Sequence, residues 1–280
     1  MRCSISTEKI ALVTGASRGI GKGVARALGS SGYTVWITGR AAGNGALEAT
    51  AAEVDASGGR GIAVHCDHAD DAQVARVFER IGAEAGCLDI LVNNAAAVDS
   101  AALMAEGPFF EKPLDALSAM IDVGLRSHYV ASYHGAKLMT AAPGGLIAFI
   151  SFYGAVSYFH GPAYGAAKAG TDKMAFDIAV DMEPYGVASV SLWPGIVGTE
   201  VVQALDPAIL ATLPPLESPE FTGHVIEAIH DDADRMALSG KTLIVAEMAR
   251  RYGIRDMDGS QPDLLDQAMG RPPVYVGPAG

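Results

Sequence analysis

The stretch that decides the fold is Thr14-Gly15-Ala16-Ser17-Arg18-Gly19-Ile20-Gly21. It joins a short apolar segment, residues 10–14, to a longer amphipathic one, residues 20–30, and this order predicts a strand, a tight turn and a helix. Glycines in such a turn let backbone N–H groups approach an anion at the positive end of the helix dipole. The sequence therefore predicts that the turn binds a pyrophosphate.

The glycine spacing, Gly-x-x-x-Gly-x-Gly, differs from two other phosphate-binding loops. The common dinucleotide fingerprint has Gly-x-Gly-x-x-Gly. A Walker A loop ends in Lys followed by Ser or Thr, whereas here Gly23 follows Lys22, and five residues rather than four separate Gly15 from Gly21. Taken alone, the glycines leave a purely structural turn as the alternative.

Outward from this turn, short apolar segments alternate with longer amphipathic ones. The predicted strands are residues 10–14, 33–38, 61–66, 89–92, 146–150, 188–193 and 242–246. Their continuous hydrophobicity is typical of strands covered on both faces, and the β-α-β-α order implies right-handed crossovers. We predict an α/β fold: a single Rossmann-type doubly wound domain over residues 1–280, with a mostly parallel seven-stranded sheet and helices on both faces. The core covers about residues 9–246, and residues 247–280 form an irregular tail.

Composition excludes several classes of protein. The 280 residues are 50% hydrophobic, which argues against disorder, and carry a net charge of −12 without a Lys/Arg cluster, which argues against nucleic-acid or membrane partners. No apolar run approaches the ~20 residues of a membrane helix. The N-terminus is polar, so we expect a cytoplasmic protein. The three cysteines, Cys3, Cys66 and Cys87, lack metal or redox spacing and are expected to be free thiols.

A candidate catalytic set follows the fifth predicted strand. Tyr164 and Lys168 are four residues apart and share one face of a predicted helix, while Ser151 ends the strand 146–150 at the carboxyl edge of the sheet. A neighbouring ammonium favours the phenolate, so we expect the pKa of Tyr164 to fall toward the range of a general acid or base. The Ser151 hydroxyl can stabilise charge that develops on a substrate oxygen.

Together these residues resemble the short-chain dehydrogenase/reductase superfamily. The glycine turn is similar to its cofactor fingerprint, Ser151, Tyr164 and Lys168 to its catalytic triad, Asn93-Asn94-Ala95-Ala96 to its N-N-A-G, and residues 194–199 to its P-G-x-x-x-T turn. The resemblance runs from about Lys9 to Ala246. It implies hydride transfer between a nicotinamide and a carbonyl or alcohol carbon, and a homodimer or homotetramer.

The resemblance also implies the residues that contact the cofactor. Asp67 would bond the adenine ring, Asn93 would lock neighbouring strands, Lys168 would hold the nicotinamide ribose, and residues 194–199 would close over the carboxamide. The implied cofactor residues are Gly15, Ser17, Arg18, Gly19, Ile20, Gly21, Arg40, Asp67, Asn93, Asn94, Ala95, Tyr164, Lys168, Pro194, Gly195, Val197 and Thr199.

The second predicted strand favours NADP(H) over NAD(H). It ends in Ile37-Thr38-Gly39-Arg40, and no acidic residue precedes Glu48, where an NAD enzyme would hold the ribose 2′-hydroxyl. The guanidinium groups of Arg18 and Arg40 can instead grip a 2′-phosphate through paired hydrogen bonds. The alternative is that both arginines are simply solvated.

A metal site is not predicted. The run His65-Cys66-Asp67-His68 has suitable ligand types, but successive strand residues point to opposite faces and cannot easily converge on one ion.

One position departs from the superfamily pattern. Gly124, in Asp122-Val123-Gly124-Leu125, stands where an Asn is common and its carbonyl helps to hold a water beside the lysine. Glycine accepts the local helix irregularity needed there, so we expect an altered proton relay to which His128, one turn later, could contribute. The stretches IDVGLRSHY, SLWPGIVGTE and ARRYGIRDMDG look most like a narrower subgroup, dehydrogenase/reductase SDR-family member 1 and its relatives.

The substrate is predicted only by class. Segments 97–113 and 152–159 and the residues after Thr199 should line its pocket. The aromatic residues Phe109, Phe110, Phe152, Tyr158 and Phe159 favour a hydrophobic ketone, with ordinary packing aromatics as the alternative. Two rival functions stay open: a non-catalytic NADP(H)-binding regulatory protein and an enoyl-type reductase.

Overall fold

Seven apolar segments form one parallel sheet in the structure, a computed structural model that describes residues 8–40, 43–141 and 144–278. The strands are β1 (Ile10–Val13), β2 (Thr34–Gly39), β3 (Arg60–His65), β4 (Ile90–Asn93), β5 (Leu146–Ile150), β6 (Ala188–Trp193) and β7 (Thr242–Ile244). Every strand except β3 and β7 is buried along its whole length, which explains the continuous apolar runs in the sequence.

The strand order is β3-β2-β1-β4-β5-β6-β7, and every pair is parallel. The order reverses between β1 and β4, so the connections that leave these two strands diverge and open a crevice at their carboxyl ends. This topology confirms the predicted α/β fold and fixes where a ligand can bind.

Helices cover both faces of the sheet. In the described residues they are α1 (Gly19–Ser30), α2 (Ala46–Ala56), α3 (Asp71–Glu84), α4 (Ser100–Met104), α5 (Leu114–Ile121), α6 (Ser127–Met139), α7 (Pro162–Met182), α8 (Glu200–Gln203), α9 (Pro207–Leu210), α10 (Phe221–Asp231), α11 (Val245–Tyr252) and α12 (Asp266–Met269). One large apolar cluster packs α1, α10 and α11 against the sheet, and a second packs α3, α6 and α7 against it.

The helical segment between residues 114 and 139 is divided. A π-helical turn, Asp122–Arg126, separates α5 from α6, with the buried Gly124 at its centre. A π-turn inserts an extra residue into the helix, and such insertions are a recognised cause of helix bending. The expected irregularity at Gly124 is therefore present.

The C-terminal part differs from the predicted irregular tail. Helix α11 crosses the predicted core boundary at residue 246, and Val245, Met248 and Ala249 are buried in the main core. Their spacing of three and four residues is that of one helix face, which the glycines and prolines further along the tail obscured. The core therefore extends beyond residue 246.

Two further observations concern the chain as a whole. In the part of the chain that the structure describes, no helix is long and apolar enough to cross a bilayer. Cys66 and Cys87 are buried and form no disulfide with each other, while Cys3 lies outside the described residues.

Candidate active site

The glycine turn between β1 and α1 has the backbone geometry that its sequence predicts. Gly15 and Gly19 have φ values of +67° and +59°, a region that side chains other than glycine rarely adopt. At Gly21 a Cβ atom would lie 2.4 Å from Asn94 Nδ2 and 2.5 Å from the Gly15 carbonyl oxygen. The turn therefore requires these glycines.

Strand β4 holds this turn in place. The Asn94 side-chain amide donates to the carbonyl oxygens of Thr14 and Gly15 at 2.8 and 2.9 Å. The Thr14 hydroxyl accepts from the backbone N–H groups of Asn94 and Ala95. Asn94 thus contributes by shaping the turn as well as by lining the cleft.

The cleft at the β1/β4 switch point collects most of the predicted cofactor residues. Its lining includes Gly15, Ser17, Arg18, Gly19, Ile20, Gly21, Arg40, Asp67, Asn94, Ala95 and Thr199, together with Val98, Val123 and Glu200. Asn93 is not part of this surface: it is buried, and its amide donates to Ser132 of α6. Asn93 links a strand to a helix rather than two strands.

A second cleft continues from the first past the end of β2. Arg18 and Arg40 line both clefts, and both are exposed. Neither forms an ion pair with another residue that the structure describes. Glu48, the first acidic residue after β2, pairs with His65 at 2.8 Å. Two guanidinium groups are therefore available to a phosphate at this end.

The His65–His68 run begins at the last residue of β3, and its other three residues follow the strand. His65 is exposed, whereas His68 is buried and its Nε2 lies 2.7 Å from the Thr38 hydroxyl. Burial lowers the pKa of His68 to about 4. The Asp67 side chain is half-buried and accepts from the backbone N–H of Ala69.

A carboxylate already lies at the anion-binding end of α1. Glu200, at the start of α8, accepts from the backbone N–H of Gly19 at 2.9 Å. A pyrophosphate that used the same N–H group would have to displace this carboxylate. The sequence analysis did not select Glu200, which directly follows the predicted cofactor residue Thr199.

The three predicted catalytic residues meet at the carboxyl end of β5. Lys168 Nζ donates to the Ile150 carbonyl at 3.0 Å, and the Ser151 hydroxyl donates to the Lys168 carbonyl at 3.2 Å. Lys168 Nζ lies 5.6 Å from the ring centroid of Tyr164, one turn earlier on α7. The two hydrogen bonds attach α7 to the end of β5.

The expected fall in the pKa of Tyr164 is wrong for the chain alone. Burial raises the pKa of the Tyr164 phenol above its ordinary value, because the charged form loses its hydration. Burial also lowers the pKa of Lys168 to about 8, opposed by the negative charge of Asp172. Near neutral pH, Tyr164 therefore holds its proton and Lys168 remains mostly charged.

Asp172, one further turn along α7, is the main residue that the sequence analysis missed here. It is 1% exposed and accepts from the Ser191 hydroxyl at 2.6 Å and from Trp193 Nε1 at 3.0 Å. Burial raises the pKa of this carboxyl to about 6, against hydrogen bonds from Ser191, Ser151 and Trp193. Its spacing of four residues from Lys168 was the available signal.

A second buried carboxyl supports the Pro194–Gly195 turn. Glu217 accepts from the Gly195 backbone N–H at 2.9 Å, and its backbone pairs with the residues around Val197. Burial raises the pKa of Glu217 to about 7. Pro194, Gly195 and Val197 lie beside this carboxyl rather than in the lining of the main cleft, whereas Thr199 lies in that lining.

His128 is buried beside the catalytic residues. Its Nε2 lies 2.9 Å from the Ala95 carbonyl oxygen, and its Nδ1 has no hydrogen-bond partner among the described residues. Burial lowers the pKa of His128 to about 3, with the charge of Lys168 acting in the same direction. A Cβ atom at Gly124 would meet no atom within 4 Å beyond the adjoining backbone.

The five aromatic residues predicted for a substrate pocket divide into two groups. Phe152 and Phe159 pack around Tyr164. Phe109, Phe110 and Tyr158 are exposed and line a separate cavity of about 570 Å³ between α5 and the start of α7. Only Phe152 and Phe159 therefore lie against the catalytic tyrosine.

A doubly wound sheet, a dinucleotide-type glycine turn and a Ser-Tyr-Lys cluster at one edge define a class of oxidoreductase. The family model described as short chain dehydrogenase matches residues 9–209. The chain belongs to the short-chain dehydrogenase family.

Two similar proteins indicate where in the short-chain dehydrogenase family this chain lies. Dehydrogenase/reductase SDR family member 1 from Mus musculus is 40% identical over 264 residues, which are 90% of this chain and 84% of that protein. This match confirms the predicted subgroup resemblance. Cis-4-hydroxycyclohexanecarboxylate dehydrogenase from Sinomonas cyclohexanicum is 33% identical over 81% of this chain and 90% of its own length.

A solved structure gives the same fold. The short chain dehydrogenase from Burkholderia cenocepacia J2315 in complex with NADP superposes with a TM-score of 0.73 at 28% identity, covering 84% of this chain and 95% of that one.

Proposed function

We propose that this protein is an NADP(H)-dependent oxidoreductase that interconverts a carbonyl and a secondary alcohol on a hydrophobic ketone. The observation that carries the proposal is the proximity of Ser151, Tyr164 and Lys168 at the carboxyl edge of the sheet: Ser151 donates to the Lys168 carbonyl, and Lys168 Nζ lies 5.6 Å from the centroid of the Tyr164 ring. The Sinomonas relative is named for a hydroxycyclohexanecarboxylate, whose ring carries a secondary alcohol, and this supports the alcohol–carbonyl chemistry.

The residues along the cleft fit a dinucleotide. The glycine turn lines the cleft at the start of α1, where a pyrophosphate would replace Glu200 at the Gly19 N–H, and the exposed guanidinium groups of Arg18 and Arg40 can hold a 2′-phosphate. The Burkholderia relative in complex with NADP supports the same choice of cofactor. When bound, the nicotinamide cofactor supplies or accepts the hydride.

The side chains have complementary roles in reduction. Tyr164, whose pKa is raised by burial, holds its proton until it is donated to the substrate oxygen. The Ser151 hydroxyl donates a hydrogen bond to that oxygen as negative charge develops on it. The Lys168 ammonium stabilises the phenolate that remains on Tyr164. In the reverse direction the Tyr164 phenolate accepts the proton of the alcohol.

The first experiment is a fluorescence titration with NADPH and NADH, followed by a screen of hydrophobic ketones, cyclic ones included. We expect tighter binding of NADPH and turnover that falls about 10²–10⁴-fold in Tyr164→Phe with NADPH binding unchanged. Tyr185→Phe is the matched control, because Tyr185 is 50% exposed beyond the far end of α7 and its substitution should leave turnover unchanged.

The same screen separates the two rivals. NADPH binding without turnover of any carbonyl would favour a non-catalytic binding protein, for which the open space at Gly124 is the structural motive. Reduction of activated alkenes but not of ketones would favour an enoyl-type reductase. Tighter binding of NADH than of NADPH would contradict the assigned roles of Arg18 and Arg40.

A further inference from the structure

Asp172 forms a buried hydrogen-bonded centre directly behind the catalytic residues. Its two carboxylate oxygens accept from the Ser191 hydroxyl and from the indole N–H of Trp193, both on β6. Trp193 directly precedes the Pro194–Gly195 turn. A charged side chain that is 1% exposed is costly to bury without such partners, so its position is fixed by the sheet.

Asp172 is also connected to two members of the catalytic set. It is four residues from Lys168 on α7, and its charge acts on the lysine against the effect of burial. The Ser151 hydroxyl, which donates to the Lys168 carbonyl, interacts with the Asp172 carboxyl as well. Tyr164, Lys168 and Asp172 thus occupy three successive turns of one helix face.

We propose that Asp172 is a positioning residue: its carboxylate, held by Ser191 and Trp193, keeps the Lys168 side chain charged and restrains the Ser151 hydroxyl. This role rests on the proposed carbonyl chemistry and adds a fourth residue to it. Asp172 acts through Lys168 and Ser151.

The other titratable groups around this centre carry no charge near neutral pH. From α6, His128 faces Lys168, and burial lowers its pKa to about 3, so the imidazole is neutral. From the C-terminal segment, Tyr275 faces Asp172, and burial raises its pKa to about 12, so the phenol is neutral. Tyr164 also remains protonated. Among the described residues, Asp172 is the acidic group that acts on Lys168.

The sign of the effect follows from these charges. Because Asp172 raises the pKa of Lys168 toward its present value of about 8, its loss lets Lys168 release its proton at a lower pH. Carbonyl reduction needs the charged lysine, so the rate should fall as pH rises through that pKa. In Asp172→Asn the decrease of kcat at alkaline pH, called here the alkaline limb, should begin about one pH unit lower. At pH values above both limbs, kcat should then be about tenfold lower than in the wild type.

The test compares pH profiles of kcat for NADPH-dependent ketone reduction in the wild type, Asp172→Asn and Asp177→Asn. Asp177 lies on the same helix, exposed and paired with Lys173, so its substitution should leave the limb in place. Asp172→Glu, which restores the charge, should return the limb toward the wild-type position. A merely structural role would lower kcat equally at every pH, and an unmoved limb in Asp172→Asn overturns the proposal.

A second measurement does not depend on turnover. The Cε chemical shift of Lys168, one of seven lysines, can be titrated by NMR and identified by its absence in Lys168→Met. A lower titration midpoint of Lys168 in Asp172→Asn supports the inference even if no ketone is reduced. Absence of ketone reduction would count against the proposed function only. If Asp172→Asn does not fold, Asp172→Ser replaces it: this substitution also removes the charge, so the midpoint should shift the same way, and an unchanged midpoint contradicts the inference.

Discussion

The two ends of the candidate site differ in the groups that they offer: the nucleotide end is the glycine turn with Arg18 and Arg40, and the catalytic end is the region around Tyr164 and Asp172. At the nucleotide end the contacts are offered by backbone N–H groups of the glycine turn and by the exposed side chains of Arg18 and Arg40. At the catalytic end Tyr164 and Asp172 are ionisable groups in surroundings that shift their pKa values. Local backbone shape therefore governs one end, and desolvation governs the other.

The largest expected effect tests whether backbone shape alone governs the nucleotide end. In Gly21→Ala the new Cβ would lie 2.4 Å from Asn94 Nδ2 and 2.5 Å from the Gly15 carbonyl. The turn must move, so we expect a loss of roughly 1–3 kcal/mol in the free energy of unfolding and a loss of NADPH binding beyond tenfold. Denaturant unfolding and fluorescence titration measure these two effects.

Gly124→Ala is the matched control for that substitution. No atom lies within 4 Å of its new Cβ, and alanine favours helix, so stability should be unchanged or higher by up to about 1 kcal/mol. Equal destabilisation by both substitutions would show that the close approach at Gly21 is not what matters.

An intermediate loss of NADPH affinity is expected when the side chains of Arg18 and Arg40, rather than the backbone of the glycine turn, are changed. In Arg18→Ala combined with Arg40→Ala, the 2′-phosphate loses its charged hydrogen-bond donors. NADPH affinity should fall about ten- to hundredfold, while NADH affinity changes little. Competitive titration of the two cofactors measures the ratio. Arg60→Ala, at the opposite end of the sheet, should leave this ratio unchanged, and an equal loss of both cofactors would contradict the assignment.

The smallest effect concerns the carboxylate at the start of α1. In Glu200→Gln the negative charge that accepts from the Gly19 N–H is removed, so a pyrophosphate meets less repulsion. NADPH affinity should rise about two- to fivefold, and this gain should shrink as salt is added. Glu84→Gln, exposed on α3 and paired with Arg80, serves as control. Weaker binding in Glu200→Gln would mean that Glu200 assists the cofactor.

The difference between the two ends of the site also explains which features could be predicted from the sequence. Some features could be predicted because they depend on residues close together in the chain or on a regular period. These are the glycine turn, the α/β fold class, and the set of Ser151, Tyr164 and Lys168. The irregular turn at Gly124 was expected for the same reason. The oligomeric state, the cytoplasmic location and the role of His128 stay predictions.

The rest depends on contacts between distant segments. Asp172 becomes part of the site through Ser191 and Trp193, and Glu217 through Gly195 of a different segment. Burial raises the pKa of Tyr164, whereas a nearby cation would lower it. The spacing of Tyr164 and Lys168 in the sequence does not show how deeply the phenol is buried, so it could not decide between the two effects. The substrate aromatics divided into two groups because α5 and α7 separate them in space.

The glycine turn has a consequence for the order in which the molecule folds. Although its residues are contiguous, the side chain that shapes it, Asn94, is 80 residues away from Thr14. Closing so long a loop has an entropic cost, and parallel pairing of β1 with β4 must precede the finished turn. A nascent chain that ends before β4 therefore has the complete fingerprint in its sequence without the side chain that shapes the turn.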